Sequence, residues 1–321
     1  MIKIDLSRYA SVAPEYWRLL KNFLNGKRNK SKLLAYAKRI KTKGYSEQLE
    51  YINDGLVKSD RIALGKPYDI IGEYSAQFKD AKIKRGLIKR MEGYYSLFFN
   101  TKIGKLDPNH PNKELKIGTW LAKELNVNTC PYCNRAYTFS GQFSDEKEIR
   151  PEFDHFYPKS KYPYLALSLY NLVPSCRVCN QLKGDEEIEI NPLFEDFEEK
   201  NIHFRLRDVV SGQGYDPEVD HWAFDPSRAI VEMTKSNSNI TRLKLDEFYN
   251  MHTDVVADLV TKVQAYNNCY YQSLVDSYKG LGKTQEDIYR LIWGTYMNSE
   301  DYKLRPLSKF TKDILEQIDV N

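Results

Sequence analysis

The reading of this chain turns on residues 130–184. They open with Cys130-Pro131-Tyr132-Cys133-Asn134 and close with Cys176-Arg177-Val178-Cys179-Asn180-Gln181-Leu182-Lys183-Gly184. Between them lie Glu152-Phe153-Asp154-His155-Phe156-Tyr157-Pro158-Lys159-Ser160 and Leu167-Ser168-Leu169-Tyr170-Asn171-Leu172-Val173-Pro174. A C-x-x-C turn can present two thiolates to one ion, and two such turns complete a tetrahedral four-cysteine zinc site. A redox pair and unrelated buried thiols are the competing readings. A redox pair belongs beside a βαβ pattern, which the sequence lacks. Cys176 follows Cys133 by 43 positions, so a folded insert is expected between the two halves. A closed four-cysteine site has no open coordination position, so the expected zinc is structural and pins the ends of that insert. Cys269 reads as an ordinary half-buried thiol.

The insert carries the chemistry. An unperturbed imidazole titrates near about 6.5, which suits His155 as a base at neutral pH. Asp154 and Asn180 supply hard oxygen donors of the kind Mg²⁺ or Mn²⁺ prefers. Neighbours on a regular strand point to opposite faces, so Asp154 and His155 share one target only where the strand twists or ends. Plainer readings compete at each position. An Asp-His pair can be purely structural, Asn171 can be a turn residue, and Asn180 can cap a helix.

Taken in order, C-x-x-C, D-H-x-x-P-x-S and N-L-V-x-x-C-x-x-C-N-x-x-K-G resemble the HNH family of ββα-metal nucleases in its zinc-braced form, over residues 130–184. The resemblance implies a small ββα core that hydrolyses phosphodiester bonds, leaving 5′-phosphate and 3′-hydroxyl ends. It makes His155 the general base and Asp154 and Asn180 the ligands of one divalent ion, Mg²⁺ or Mn²⁺. Asn171 would brace the loop and orient the histidine. The helix would begin near 175–179, so that the zinc ligands Cys176 and Cys179, whose site Cys130 and Cys133 complete, fix Asn180 in space. Lys159 and Lys183 are candidate phosphate contacts, with solvated surface lysines as the alternative.

Outward from this core the chain reads as helical. Trp17, Leu20, Phe23 and Leu24 recur at helical spacing, as do Leu33, Leu34, Ala37 and Ile40. Helices are expected over 79–100, 114–125, 284–297 and 306–318, and a stripe from Val255 to Val263 marks another. Residues 136–139 and 153–156 are expected as strands, and 208–222 as a linker. The expected fold is α+β, with a zinc-braced core (111–200) between a basic helical part (1–110) and a helical C-terminal part (201–321).

The 321 residues carry a net charge of +4, which hides a division. Residues 1–110 hold 23 Lys and Arg against 11 Asp and Glu, a net of +12, while 111–200 and 201–321 each carry −4. A basic third suits a polyanion, DNA rather than RNA on the family resemblance, and Lys82, Lys84 and Arg85 are its candidate contacts. Docking of a protein partner is the other use for that surface. No run of 18 apolar residues and no signal-peptide pattern occurs, so a cytoplasmic protein without membrane contact is expected. Helical material around the core, with Arg305–Ile314, loosely resembles HNH proteins of bacterial anti-phage systems of the Septu type, whose nuclease partners an ATPase. This chain has no Walker motif, so such an ATPase would be a separate subunit. The competing function is a non-catalytic, zinc-dependent nucleic-acid-binding or scaffold protein, which would need the cysteines and the basic face but not Asp154, His155 or Asn180.

Overall fold

In the computed structural model, helix α1 (Leu6–Asn25) starts where the Asp5 side chain accepts a hydrogen bond from the Ser7 backbone N–H. Such a cap satisfies a donor that the first turn leaves unpaired. Its buried positions, Tyr9, Val12, Ala13, Tyr16, Leu19, Leu20, Phe23 and Leu24, keep the 3–4 spacing of one apolar face. The structure describes residues 1–26, 81–143, 147–162, 165–208, 229–266 and 268–318. The expected helical stripe at 33–40, the basic run 27–43 and most of the expected linker therefore lie outside the described residues.

The chain divides into two compact units, each assembled from non-consecutive segments. One comprises Asp5–Val127 and Thr138–Glu187. It holds α1, α2 (Ala81–Phe99), α3 (Ile117–Leu125), strands β1 (Gly141–Gln142), β2 (Glu148–Ile149), β3 (Glu152–His155) and β4 (Leu172–Ser175), and helix α4 (Arg177–Lys183). Helix α2 forms despite its internal Gly93, because its end buries an aromatic group: Phe98 meets Tyr16 edge-on at 5.6 Å and Phe23 at 5.2 Å. Strand β3 pairs antiparallel with β4, Asp154 opposite Val173 and His155 opposite Leu172, and α4 follows at once. Two hydroxyls tie α1 to this ribbon. Tyr9 Oη donates to the Leu172 carbonyl at 2.7 Å and Tyr16 Oη to the Leu167 carbonyl at 2.9 Å, both fully buried.

The second unit comprises Met1–Ile4, Asn128–Tyr137 and Ile188–Asn321. Its sheet is the hairpin β5 (Phe204–Asp208) with β6 (Ala229–Met233), which the sequence reading left unassigned. Around it lie α5 (Ser238–Arg242), α6 (Leu245–Tyr249), α7 (Thr253–Ala265), α8 (Asn268–Gly280), α9 (Gln285–Trp293) and α10 (Ser308–Ile318). Helix α10 seals the open edge of β5. Asp313 accepts from Phe204 N at 2.9 Å, and the Gln317 amide accepts from Leu206 N and donates to Phe204 O. Helix α9 stops four residues short of the expected 297, because Gly294 adopts φ +75°, the left-handed turn that ends helices. The strand expected at 136–139 reduces to a single bridge between Thr129 and Tyr137. The backbone there closes the cysteine turn instead, Cys130 N donating to Ala136 O at 2.9 Å. The whole is α+β, helices with three small two-stranded sheets among the described residues. No described helix is long and apolar enough to cross a membrane.

Candidate active site and cysteine cluster

Strand β3 ends at His155, and the chain then turns into a loop that returns at β4. Asn171 organises this return. Its Nδ2 donates to Tyr157 O at 3.0 Å and Leu165 O at 3.2 Å, while its Oδ1 accepts from Tyr157 N at 2.8 Å. One buried side chain thus closes the loop from both ends. At the strand's end Asp154 and His155 both line one cleft of about 390 Å³, together with Glu152 from β3, Asn180 from α4, and Lys159. The termination of β3 lets neighbouring residues of opposite pleat reach the same space.

The His155 ring is held in one tautomer. Its Nε2 lies 2.9 Å from the Ala166 carbonyl, which can only accept, so Nε2 carries the proton and Nδ1 keeps the basic lone pair. Burial pushes the imidazole down to about 3, with the ammonium charges of Lys159 and Lys183 acting in the same sense and the Ala166 bond opposing. The ring is therefore neutral at neutral pH and able to accept a proton. Tyr95, from α2, packs edge-on against it at 4.7 Å, and the Lys159 ammonium lies 5.4 Å from the Tyr95 ring centroid.

Asn180 sits on α4 with its Nδ2 donating to Glu152 Oε2 at 2.7 Å. A carboxylate only accepts, so the amide presents Oδ1 on its other side. Lys183, one turn further along α4, is fully buried. Its ammonium lies 3.2 Å from Asp154 Oδ2 and donates to the His155 carbonyl at 2.7 Å. Lys183 therefore faces inward, onto the backbone that carries the Asp-His pair. Lys159 stands on the cleft wall, Arg85 is exposed on α2, and Lys82 and Lys84 belong to the same helix.

The sequence reading assigned no role to Tyr95, Arg150, Glu152 or Asp185, which also line the cleft. Glu152 was the recoverable one, since i and i+2 on a strand share a face and Asp154 was already in view. Tyr95 and Arg150 arrive from other elements, and no local pattern signals them.

The sulfurs of Cys130, Cys133, Cys176 and Cys179 all lie within 4.8 Å of one another. A tetrahedral ion with Zn–S bonds of about 2.3 Å needs sulfurs about 3.8 Å apart, so this group can bind a metal such as zinc. Backbone amides already point at the sulfurs: Arg135 N lies 3.4 Å from Cys133 Sγ and Cys179 N 3.5 Å from Cys176 Sγ. The first turn is closed by Asn134, in the left-handed region at φ 49°, whose N–H bonds Cys130 O at 2.7 Å. Asn134 Nδ2 donates to the carbonyls of Tyr302 and Arg305 at 3.0 and 3.1 Å, and Tyr249 Oη donates to Cys133 O. Cys269 is exposed and stands apart from the group. Glu198, His203 and Asp313 also approach one another, but the buried Lys309 ammonium sits among them, 2.5 Å from Glu198 and 3.1 Å from Asp313. A lysine already supplies the positive charge that a metal would bring there.

Comparison with known proteins adds one similarity. Over 70 residues the chain is 36% identical to the Septu protein PtuB of Bacillus thuringiensis, a stretch that covers 22% of this chain and 24% of that protein. The chain thus spans about a quarter of the length of the curated relative it matches. No family model and no solved structure matches it.

Proposed function

We propose that this protein is a metal-dependent HNH endonuclease that hydrolyses phosphodiester bonds, with DNA as its substrate. The observation that carries the reading is the convergence of His155, Asp154 and Asn180 on one cleft, with the histidine locked so that Nδ1 is its base. Antiparallel strands followed directly by a helix, with the Asp-His pair at the strand end and the asparagine on the helix, match what the family resemblance implies.

In this reading a phosphodiester enters the cleft and brings negative charge beside the imidazole, raising its affinity for a proton. His155 Nδ1 takes a proton from water as the water oxygen bonds to phosphorus. The bond from phosphorus to the 3′ oxygen breaks, and that oxygen leaves to be protonated as the 3′ hydroxyl. Asp154 and Asn180 Oδ1 would hold Mg²⁺ or Mn²⁺, which when bound offsets charge on the phosphate and the leaving oxygen. The Ala166 carbonyl steadies the ring, and Asn171 fixes the loop that carries that carbonyl's neighbour, Leu165. Lys183 keeps the Asp154 carboxylate partnered beneath the strand end and pins the His155 backbone. The cysteine group takes one structural zinc, next in sequence to Asn180.

The similarity to a Septu protein supports a place in bacterial anti-phage defence; a separate ATPase subunit as partner is what the Septu-type family resemblance implies. A supercoiled-plasmid nicking assay with Mg²⁺, Mn²⁺ or EDTA, repeated with the products of neighbouring genes, tests the activity. Cleavage that needs the divalent ion and vanishes in His155→Ala is expected. Cleavage unchanged by that substitution removes His155 from the mechanism, and a protein that binds nucleic acid but never cuts it is the scaffold instead. Metal analysis should return about one zinc per chain, lost on Cys176→Ser.

A further inference from the structure

Arg150 precedes the strand that carries the catalytic pair, and its side chain lines the same cleft. Three surroundings hold it there. The guanidinium lies over the Phe153 ring, 5.8 Å from its centroid, and Nη1 donates to the Pro151 carbonyl at 3.2 Å. The third is Gly118, buried in the first turn of α3. A methyl group added there would come within 2.7 Å of Arg150 Nε and 2.9 Å of Cζ. The guanidinium therefore rests on bare backbone, in a seat that only glycine leaves open. Among the described residues no carboxylate forms an ion pair with Arg150. A planar fork held against one wall, with donors to spare, is matched to a bidentate phosphate.

We propose that Arg150 is a phosphate-binding residue of this cleft and that Gly118 is the seat that positions it. The ligand class, a nucleic-acid backbone phosphate, rests on the nuclease reading; the seat, and the lack of an ion-pair partner among the described residues, do not. Lys159 brings a second cation to the same wall, so the cleft offers positive charge beside the carboxylates of Glu152, Asp154 and Asp185.

The seat makes the proposal testable without touching the cleft. The full chain is titrated with a labelled DNA duplex in EDTA at several salt concentrations, as wild type, Arg150→Ala, Arg150→Lys and Gly118→Ala. Arg150→Ala should weaken binding about ten-fold or more and lower the salt slope by about one. Arg150→Lys should keep the slope and lose part of the affinity, because an ammonium cannot make the fork. Gly118→Ala should weaken binding in the same direction while melting at or above the wild-type temperature, since alanine favours a helix and only a flexible side chain must move. Combined with Arg150→Ala it should add nothing. Wild-type binding by both Arg150→Ala and Gly118→Ala overturns the proposal, as does a wild type that binds no duplex. If Gly118→Ala does not fold, Arg150→Ala alone decides. Binding that depends on Arg150 in a protein no divalent ion makes cut sinks the nuclease reading and leaves the phosphate contact standing. Cutting that survives both variants, with unchanged binding, does the reverse.

Discussion

An asparagine amide has two chemically opposite ends, and which end faces the cleft decides whether Asn180 can hold a cation. Glu152 decides it here: its Oε2 accepts from Nδ2 at 2.7 Å, so Oδ1 is presented on the other side. In Glu152→Gln the partner can donate as well as accept, and the amide is free to turn over. The proposed nuclease should then need roughly ten to a hundred times more Mg²⁺ for half-maximal cleavage, at unchanged zinc content and melting temperature. An unaltered Mg²⁺ dependence in an otherwise active protein would refute the orienting role. The sequence displayed Asp154, His155, Asn171 and Asn180 because each stands at a fixed offset from a cysteine or from the Asp-His pair. It did not display the Glu152 bond, because the two partners are 28 residues apart and nothing local to either marks the other.

At the scale of elements, α1 is the support on which the β3–β4 ribbon rests. Its Tyr9 and Tyr16 hydroxyls each satisfy a carbonyl of the 167–172 segment, from 163 and 151 residues away. Removing a hydroxyl leaves a buried acceptor unpaired, so Tyr9→Phe and Tyr16→Phe should each cost about 1 kcal/mol in denaturant unfolding. Binding of zinc should be unaffected by either. Stability equal to wild type in both would mean that water replaces the hydroxyls, and that α1 holds the ribbon through apolar contact alone. The helix itself was plain in the periodicity of Leu20, Phe23 and Leu24, since an apolar face is written locally. The hairpin of β5 and β6 was not. Phe204 and Leu206 are buried while Arg205 is exposed, a correct strand alternation, but its partner strand begins more than twenty residues on and α10 supplies the rest of the edge. A five-residue strand completed by remote elements carries too little pattern to stand out.

Over the whole molecule, charge is distributed against function in a way that the small net value conceals. The stretch bearing the cleft is net negative, consistent with a site built to hold a cation, and the excess of positive charge lies in residues 1–110. Helix α2 connects these facts. Its Tyr95 touches His155, and Arg85 lies ten residues, about 15 Å, back along the same helix. A duplex seated in the cleft presents a phosphate charge every ~1.7 Å of its axis, so a track of that length passes several. Replacing Lys82, Lys84 and Arg85 together by alanine should therefore weaken DNA binding across all sequences alike. It should also flatten the dependence of log K on log salt by up to about 2.7, near 0.9 for each phosphate that is no longer neutralised. Cleavage at saturating DNA should persist, because His155, Asp154 and Asn180, on which the proposed mechanism rests, are left in place. Affinity and slope unchanged from wild type would assign the positive charge of α2 to a protein partner or to solubility, and leave the Arg150 wall as the main electrostatic grip on the substrate.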